Sequence, residues 1–342
     1  MPVSSSELVR YIRRLVDIPS VTGSEREVAL FLERDLSARG YAVTLQEVVD
    51  GRVNVYATTP NVLPRVVFCT HIDTVPPHYA SSEDDDFVYG RGSCDAKGVL
   101  AAMVFAADRL RAQGVEALGL LFVVGEEVDS AGALAANALA PEESRARYVV
   151  VGEPTENRMA NGHKGGFKFR LKAMGKAAHS AYPHLGESAI ERLLDGLAEI
   201  RGADWGASDV LGEATVNIGT IAGGLAANVL APEAEAQVFI RVVGRVAEVR
   251  KKLEEILARH PALGLEVISE SDAVFCETRP GWEIGPVAFG TDIKSLKTFG
   301  KPLLIGPGSI EDAHTSREKI GKKEAMEAVA YYQRLARELL GE

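Results

Sequence analysis

The segment VVFCTHIDTVPPH, Val66 to His78, runs an apolar stretch straight into His71 and Asp73. Neither residue gains from burial, and an unpaired charge in an apolar interior costs several kcal/mol. The same abrupt ending recurs twice, where LLFVV is followed by Gly125, Glu126 and Glu127, and YVVV by Gly152 and Glu153. Asp95 closes the segment RGSCD, and GPGSIEDAH leads to His314. Acids gathered in one place repel each other unless positive charge is supplied, and apart from Lys97 no basic cluster stands beside them. A divalent metal resolves that conflict, and a His/Asp/Glu donor set without thiolate suits zinc or a similar ion.

Two ions are expected rather than one. His71, Asp95, Glu153, His314 and a member of the Glu126–Glu127 pair exceed the three protein ligands typical of one catalytic zinc. A pair of ions roughly 3.5–4 Å apart also needs a shared carboxylate, for which Asp95 is the candidate. Residues i and i+2 of an extended segment face the same side. Asp73 is therefore placed to take one ring nitrogen of His71 while the other meets metal. Adjacent side chains diverge, so one of Glu126 and Glu127 can bind metal while its neighbour acts as general base on water. Singly, an HxD or an EE pair is ordinary surface chemistry; it is their joint placement that points to a dinuclear metallohydrolase.

The elements that must position these residues can be read as well. Val66 to Cys69, Leu120 to Val124 and Tyr148 to Val151 are short apolar runs expected of strands covered on both faces. Glu25 to Arg39 and Asp95 to Ala112 have helical apolar spacing and end at Gly40 and Gly114. This rhythm predicts an α/β fold, a mainly parallel sheet with helices on both faces, whose site lies outside the carboxyl ends of the strands. After NGHKGG the order becomes strand Phe167–Met174, helix 187–201, strands 214–221 and 233–243, helix 246–260 and strand 265–269. That is β-α-β-β-α-β, the ferredoxin-like module. Lys301 to Ile305 and the helix Lys322 to Leu340 then resume the first pattern. The expected division is 1–164 with 273–342 for the catalytic domain and 165–272 for an inserted one.

Composition narrows the function. The chain carries a net charge of −10 with 46% hydrophobic and 25% charged residues, and it has no basic stripe. Nucleic acid and membrane are accordingly not expected as partners. No apolar run reaches the roughly 20 residues of a membrane span. The N-terminal stretch, charged throughout, lacks a signal-peptide core. Three cysteines without a metal-type pair fit a reducing cytoplasm. The acidic SSEDDD stretch at Ser81 to Asp86 reads as a solvated loop.

The segments THIDTVP, YGRGSCDAKG, VVGEEVDSAGA, VVGEPTEN, GKAAHSAYPHLGESA, GGLAANVLAPEAEAQVFIR and GPGSIEDAHTSREK resemble, in order, the co-catalytic zinc family of acetylornithine deacetylase, succinyl-diaminopimelate desuccinylase, aminoacylase and glutamate carboxypeptidase. The resemblance implies one metal on His71, Asp95 and Glu153 and a second on Asp95, Glu127 and His314, zinc first and cobalt second. It implies Glu126 as general base, Asp73 as the residue orienting His71, and the inserted module as a lid and dimerisation domain. His179 matches a histidine that reaches the partner subunit's site and stabilises the oxyanion. Asn228 and Arg241 match substrate-binding residues, Arg241 having the planar fork suited to a carboxylate.

One departure is visible: the family's acidic pair after the last histidine is here Arg317 and Glu318. The GTD segment (Gly290, Thr291, Asp292) and the GPGS turn containing Gly308 resemble the acetylornithine deacetylase branch, implying substrate contacts there. The expected function is amide hydrolysis of an N-acyl amino acid, N-acetyl-L-ornithine first, in arginine biosynthesis. A dipeptidase, a carboxypeptidase or succinyl-diaminopimelate desuccinylase is the alternative. The complete ligand and base set argues against a non-catalytic binding module.

Overall fold

The structure is a computed structural model that describes residues 5–140 and 146–342. The first four residues of the N-terminal stretch thus lie outside the described residues. The chain divides into two compact units, one of Met1–Asn161, Cys276–Gly285 and Thr291–Glu342, the other of Gly162–Phe275 and Pro286–Gly290.

In the first unit, helices α1 (Ser5–Val16) and α2 (Arg26–Ala38) precede a hairpin of β1 (Ala42–Val49) and β2 (Arg52–Thr58). Strand β3 (Val66–His71), helix α3 (Lys97–Ala112), and strands β4 (Leu118–Val123) and β5 (Tyr148–Val151) follow. Every residue of β3 and β4 is buried. Because successive side chains alternate between faces, both faces of the sheet are covered there. Helix α1 buries Leu8, Ile12 and Leu15 on one stripe at helical spacing. Each such side chain contributes about 1.5–3 kcal/mol relative to exposure.

The second unit is built from β6 (Gly165–Met174), α4 (Ala189–Gly202), β7 (Thr215–Gly223), β8 (Glu233–Val242), α5 (Val246–Leu257) and β9 (Leu263–Ser271). The sheet order is β7-β8-β6-β9, with every pairing antiparallel. Its strands alternate: Phe167, Phe169 and Leu171 are buried while Lys168, Lys172 and Met174 are exposed. Helices α4 and α5 pack through Leu193, Leu197, Leu253 and Ile256 into the same core.

The chain returns to the first unit with β10 (Lys301–Leu304) and α6 (Lys322–Leu340). The central strands β4-β3-β5-β10 are parallel. The β1–β2 hairpin joins antiparallel through β2 to β4. Helix α6 packs on α3, and the Tyr332 hydroxyl donates to the Ile305 carbonyl at 2.8 Å. The acidic stretch after Ser81 forms a short hairpin, Ser82–Glu83 pairing with Phe87–Tyr89, at whose tip Asp84 accepts the N–H groups of Asp86 and Phe87 at 2.9 and 2.8 Å and the Tyr89 hydroxyl at 2.7 Å. Cys69, Cys94 and Cys276 are unpaired thiols. Among the described residues no helix is long and apolar enough to cross a membrane.

Candidate metal centre

The parallel core fixes where the ionisable residues arrive. His71 is the last residue of β3 and stands opposite Val123, the last of β4, while Val151 of β5 pairs with both Cys69 and Leu304. All four strands therefore end together. They release His71, the Glu126–Glu127 pair, Glu153, and the turn leading to His314 on the same edge of the sheet.

Asp95 joins two of these. Its Oδ1 lies 2.9 Å from His71 Nε2, and its Oδ2 lies 3.2 Å from His314 Nε2. His314 Nε2 is also 2.9 Å from Glu127 Oε1. Ligand atoms of His71, Asp95 and Glu127 all fall within 4.8 Å of one another. Two donors on a tetrahedral ion with bonds of about 2.05 Å are roughly 3.3 Å apart. The donor pairs here are therefore already at close to ligand spacing, and hard oxygen and imidazole donors without thiolate match zinc. Glu153 is outside that close group. It is buried beside it, its carboxyl under the charges of His71, Glu126 and Asp95.

Asp73 meets His71 more closely through its backbone carbonyl than through its carboxylate. His71 Nδ1 is 2.9 Å from the Asp73 carbonyl oxygen and 3.5 Å from its carboxylate. The carboxylate itself accepts the N–H of Glu126 at 3.1 Å, the N–H of Glu127 at 3.3 Å and the Thr22 hydroxyl at 2.8 Å. Beneath the same turn lies a pair that sequence reasoning did not identify, Arg52 with Glu25, at 2.8 Å and both buried. Gly125, at φ +81°, allows the turn to sit on it, since a Cβ there would meet Arg52 Nη2 at 2.3 Å.

The electrostatics have one cause. Burial works against the ionised Asp95, yet hydrogen bonds with His314 and His71 hold its carboxyl well below the usual carboxylate range. Burial also opposes protonation of His71, but its bonds to Asp73 and Asp95 raise its pKa. The bond to Asp95, then that to Glu127, raises His314 to about 10. Burial pushes up Glu126 and Glu153, and it pushes Asp292 up to about 6. The two imidazoles are thus drawn toward their protonated forms by the carboxylates around them. Lys97 does not help, because its ammonium donates to the Ile18 carbonyl at 2.7 Å.

Glu318, the acid that remains of the pair after His314, is engaged by the loop that precedes Asp95. Its Oε1 accepts the N–H groups of Gly92, Cys94 and Asp95 at 2.8, 3.2 and 3.1 Å, and its Oε2 takes Arg91. No local signal revealed this, because the partners lie more than 220 positions away in sequence. Gly308 lies buried in the turn after β10. Its N–H is taken by Glu324 at 2.7 Å, its φ is +93°, and a Cβ there would lie 2.6 Å from Cys94 Sγ. Its N–H is engaged, and its Cα packs against the Cys94 side chain.

Of the GTD segment, Thr291 and Asp292 are buried in the first unit and Gly290 falls in the second. Within the second unit, His179 and Asn228 come together where their segments pair. Ser180 N–H donates to the Asn228 carbonyl at 3.0 Å and Leu230 N–H to the Ala178 carbonyl at 2.9 Å. Both side chains are exposed, and His179 Nδ1 accepts the Ala181 N–H at 3.1 Å. Arg241 sits apart on β8, half-buried, its guanidinium 4.5 Å from the Phe239 ring centre.

A model of the family described as Peptidase family M20/M25/M40 matches residues 67–338. A peptidase M20 domain-containing protein of Schizosaccharomyces pombe is 40% identical over 342 residues, 97% of this chain and 84% of that one. A protein of Aspergillus terreus named probable carboxypeptidase is 37% identical over 374 residues, 97% of this chain and 86% of that one. The solved structure of aminopeptidase PepT from Bacillus cereus, 21% identical and matched over 99% of both chains, shares the fold with a TM-score of 0.82. A match that runs from the first parallel strand into the final helix leaves one conclusion: this chain is a member of peptidase family M20/M25/M40, a hydrolase of amide bonds.

Proposed function

We propose that the chain is a two-metal hydrolase that cleaves the amide bond of small peptide-type substrates, with carboxypeptidase or dipeptidase chemistry ahead of N-acyl amino acid deacylation. The observation that carries the two-metal part is the division of the Asp95 carboxylate, Oδ1 toward His71 and Oδ2 toward His314. A carboxylate so shared is what a pair of adjacent ions requires. His71, Asp95 and Glu153 would hold one ion and Asp95, Glu127 and His314 the other, zinc first and cobalt second. Bound there, the ions would supply Lewis acidity for the amide carbonyl and for water.

The chain's own residues do the rest. Glu126, half-buried with its pKa raised by burial, takes the proton from the attacking water and passes it to the leaving nitrogen. Asp73 fixes the backbone of Glu126 and Glu127, so base and ligand keep their relative placement. In the second unit His179 is assigned to the oxyanion and Asn228 and Arg241 to substrate, with Arg241 facing a carboxylate group. That unit is also assigned the role of lid and of interface in a homodimer. Its exposed, unpaired-edge strand β7 supports the dimer assignment. Unpaired cysteines support a reducing, cytoplasmic setting.

The relatives' peptidase names support peptides over N-acetyl-L-ornithine, whose case rests on the GTD and GPGS segments alone. The Gly308 N–H, engaged by Glu324, weakens that case further. The test is amine release by zinc- or cobalt-loaded protein on dipeptides, N-acetyl amino acids and N-succinyl-diaminopimelate. Preference for peptides bearing a free carboxyl terminus is expected. Turnover confined to N-acetylornithine would reverse the order of the two readings.

A further inference from the structure

We propose that Glu318 is a positioning residue that sets the shared carboxylate of the metal centre, an inference that rests on the two-metal reading of that site. Glu318 is only 2% exposed, and both of its oxygens are engaged. The loop Gly90 to Asp95 wraps around it: Oε1 accepts the N–H groups of Gly92, Cys94 and Asp95, and Oε2 accepts Arg91 Nη1. The Glu318 carbonyl in turn accepts the Gly90 N–H at 3.0 Å. A loop of irregular backbone is thereby folded around one side chain from a segment far away in sequence.

The consequence for the site is geometric. Asp95 is itself one of the residues whose N–H is held, at 3.1 Å. His314 stands four positions before Glu318, and the Lys319–Gly321 strand that follows is paired with Phe87–Tyr89, just ahead of the loop. The 314–318 segment therefore carries one ligand of the second ion in its backbone and, through the Glu318 side chain, the placement of the ligand shared by both. The observed 3.2 Å between Asp95 Oδ2 and His314 Nε2 is set from both ends by this one segment. Arg317, beside it, is exposed and takes no part. Partners that orient metal ligands typically change metal affinity by about 10–100-fold when removed.

Cobalt titration of the metal-free full-length protein, read by calorimetry and by the visible absorption of the bound ion, tests this without any substrate. Glu318→Ala is expected to stay folded, to lose about 10–100-fold in affinity for the second equivalent, and to shift the cobalt spectrum. Glu318→Gln, whose amide oxygen can still accept the three N–H groups while its NH2 group loses the Arg91 contact, is expected to recover part of the affinity and the parental spectrum. Parental affinity and spectrum in Glu318→Ala overturn the proposal, and so does an equal loss in Gln and Ala. Should Glu318→Ala fail to fold, Glu318→Asp decides, since it keeps the charge and withdraws the oxygens by one methylene. Weakened second-site binding in a folded Asp variant supports the proposal, and parental binding overturns it. A parent protein that takes up one equivalent only removes the two-metal reading itself, and the proposal with it.

Discussion

The carboxylate of Asp73 accepts the backbone N–H of Glu126 at 3.1 Å, which ties the end of β3 to the turn after β4 at the point where the base is placed. Its other oxygen takes Glu127 at 3.3 Å, so the proposed base and the proposed ligand are registered on one side chain. Asp73→Asn would turn an N–H donor toward another N–H donor. Metal affinity is expected to fall about 10–100-fold, with kcat lowered as well. Metal titration by calorimetry and steady-state kinetics at saturating metal check both effects.

Glu126 and Glu127 should separate cleanly in function. Glu126→Gln removes the proton acceptor and leaves His71, Asp95 and Glu127 grouped as before. A loss of about 10²–10⁴ in kcat is expected at unchanged metal content. Retained activity with both ions bound would sink the assignment of the base. Glu127→Gln should instead reduce the metal stoichiometry, measured by elemental analysis after dialysis.

The buried Arg52–Glu25 pair supports the Gly125 turn; without Glu25, Arg52 keeps Asp129 at 3.6 Å, and without Arg52, the buried Glu25 carboxylate keeps the Gly23 N–H at 2.9 Å but no facing cation. Glu25→Gln or Arg52→Met is expected to destabilise by about 3–5 kcal/mol. Glu25 is fully buried and Arg52 is 8% exposed, so solvent screens the pair little. Urea unfolding of metal-free protein gives the number. The double replacement should cost less than the sum of the single ones if the effect is the stranded charge.

Metal removal should expose the proton chemistry of the site. With His314 raised from 6.5 to about 10 in the folded, metal-free chain, its contribution to stability is full below about pH 6.5 and is lost as pH rises through 10. The depressed Asp95 contributes above its unfolded value of about 3.9, and that contribution is lost as pH falls through its lower folded value. Melting temperature of the chelated protein should therefore decline between about pH 6.5 and 10, and His314→Gln should flatten that limb. Because ligating histidines must be neutral, metal uptake near neutral pH should release protons. Titration in a weak buffer should show acidification, and an unchanged pH would contradict the raised pKa of His71 and His314 in the metal-free chain.

Much of the molecule follows from local sequence. Continuous apolar runs such as VVFC and YVVV, too short for a typical helix, are strands of a sheet covered on both faces, and the ionisable residues that end each run lie at the sheet edge. The periodic stretch Lys322 to Leu340 is a helix over those same residues. The second unit's alternating strands and two amphipathic helices give the order of a ferredoxin-like module directly. The β1–β2 hairpin was missed although its turn, Asp50–Gly51 with φ of 48° and 79°, carries a known hairpin signal. Strand β1 is half-exposed along its length, and the buried run of β2 is interrupted by the polar Arg52 and Asn54, so neither reads as a continuous apolar segment.

What the sequence could not contain is the identity of partners set by tertiary approach. That Asp95 divides its oxygens between His71 and His314, residues on either side of it and far apart in the chain, depends on how parallel strands align their ends. That Glu318 folds the Asp95 loop, that Asp73 holds two amides, and that Gly308 yields room to Cys94 are likewise contacts across the fold. Hydrophobic pattern is a local property, fixed by which face of an element leaves water. A hydrogen-bonded site depends on distances of about 3 Å between segments, and only the packed core sets those.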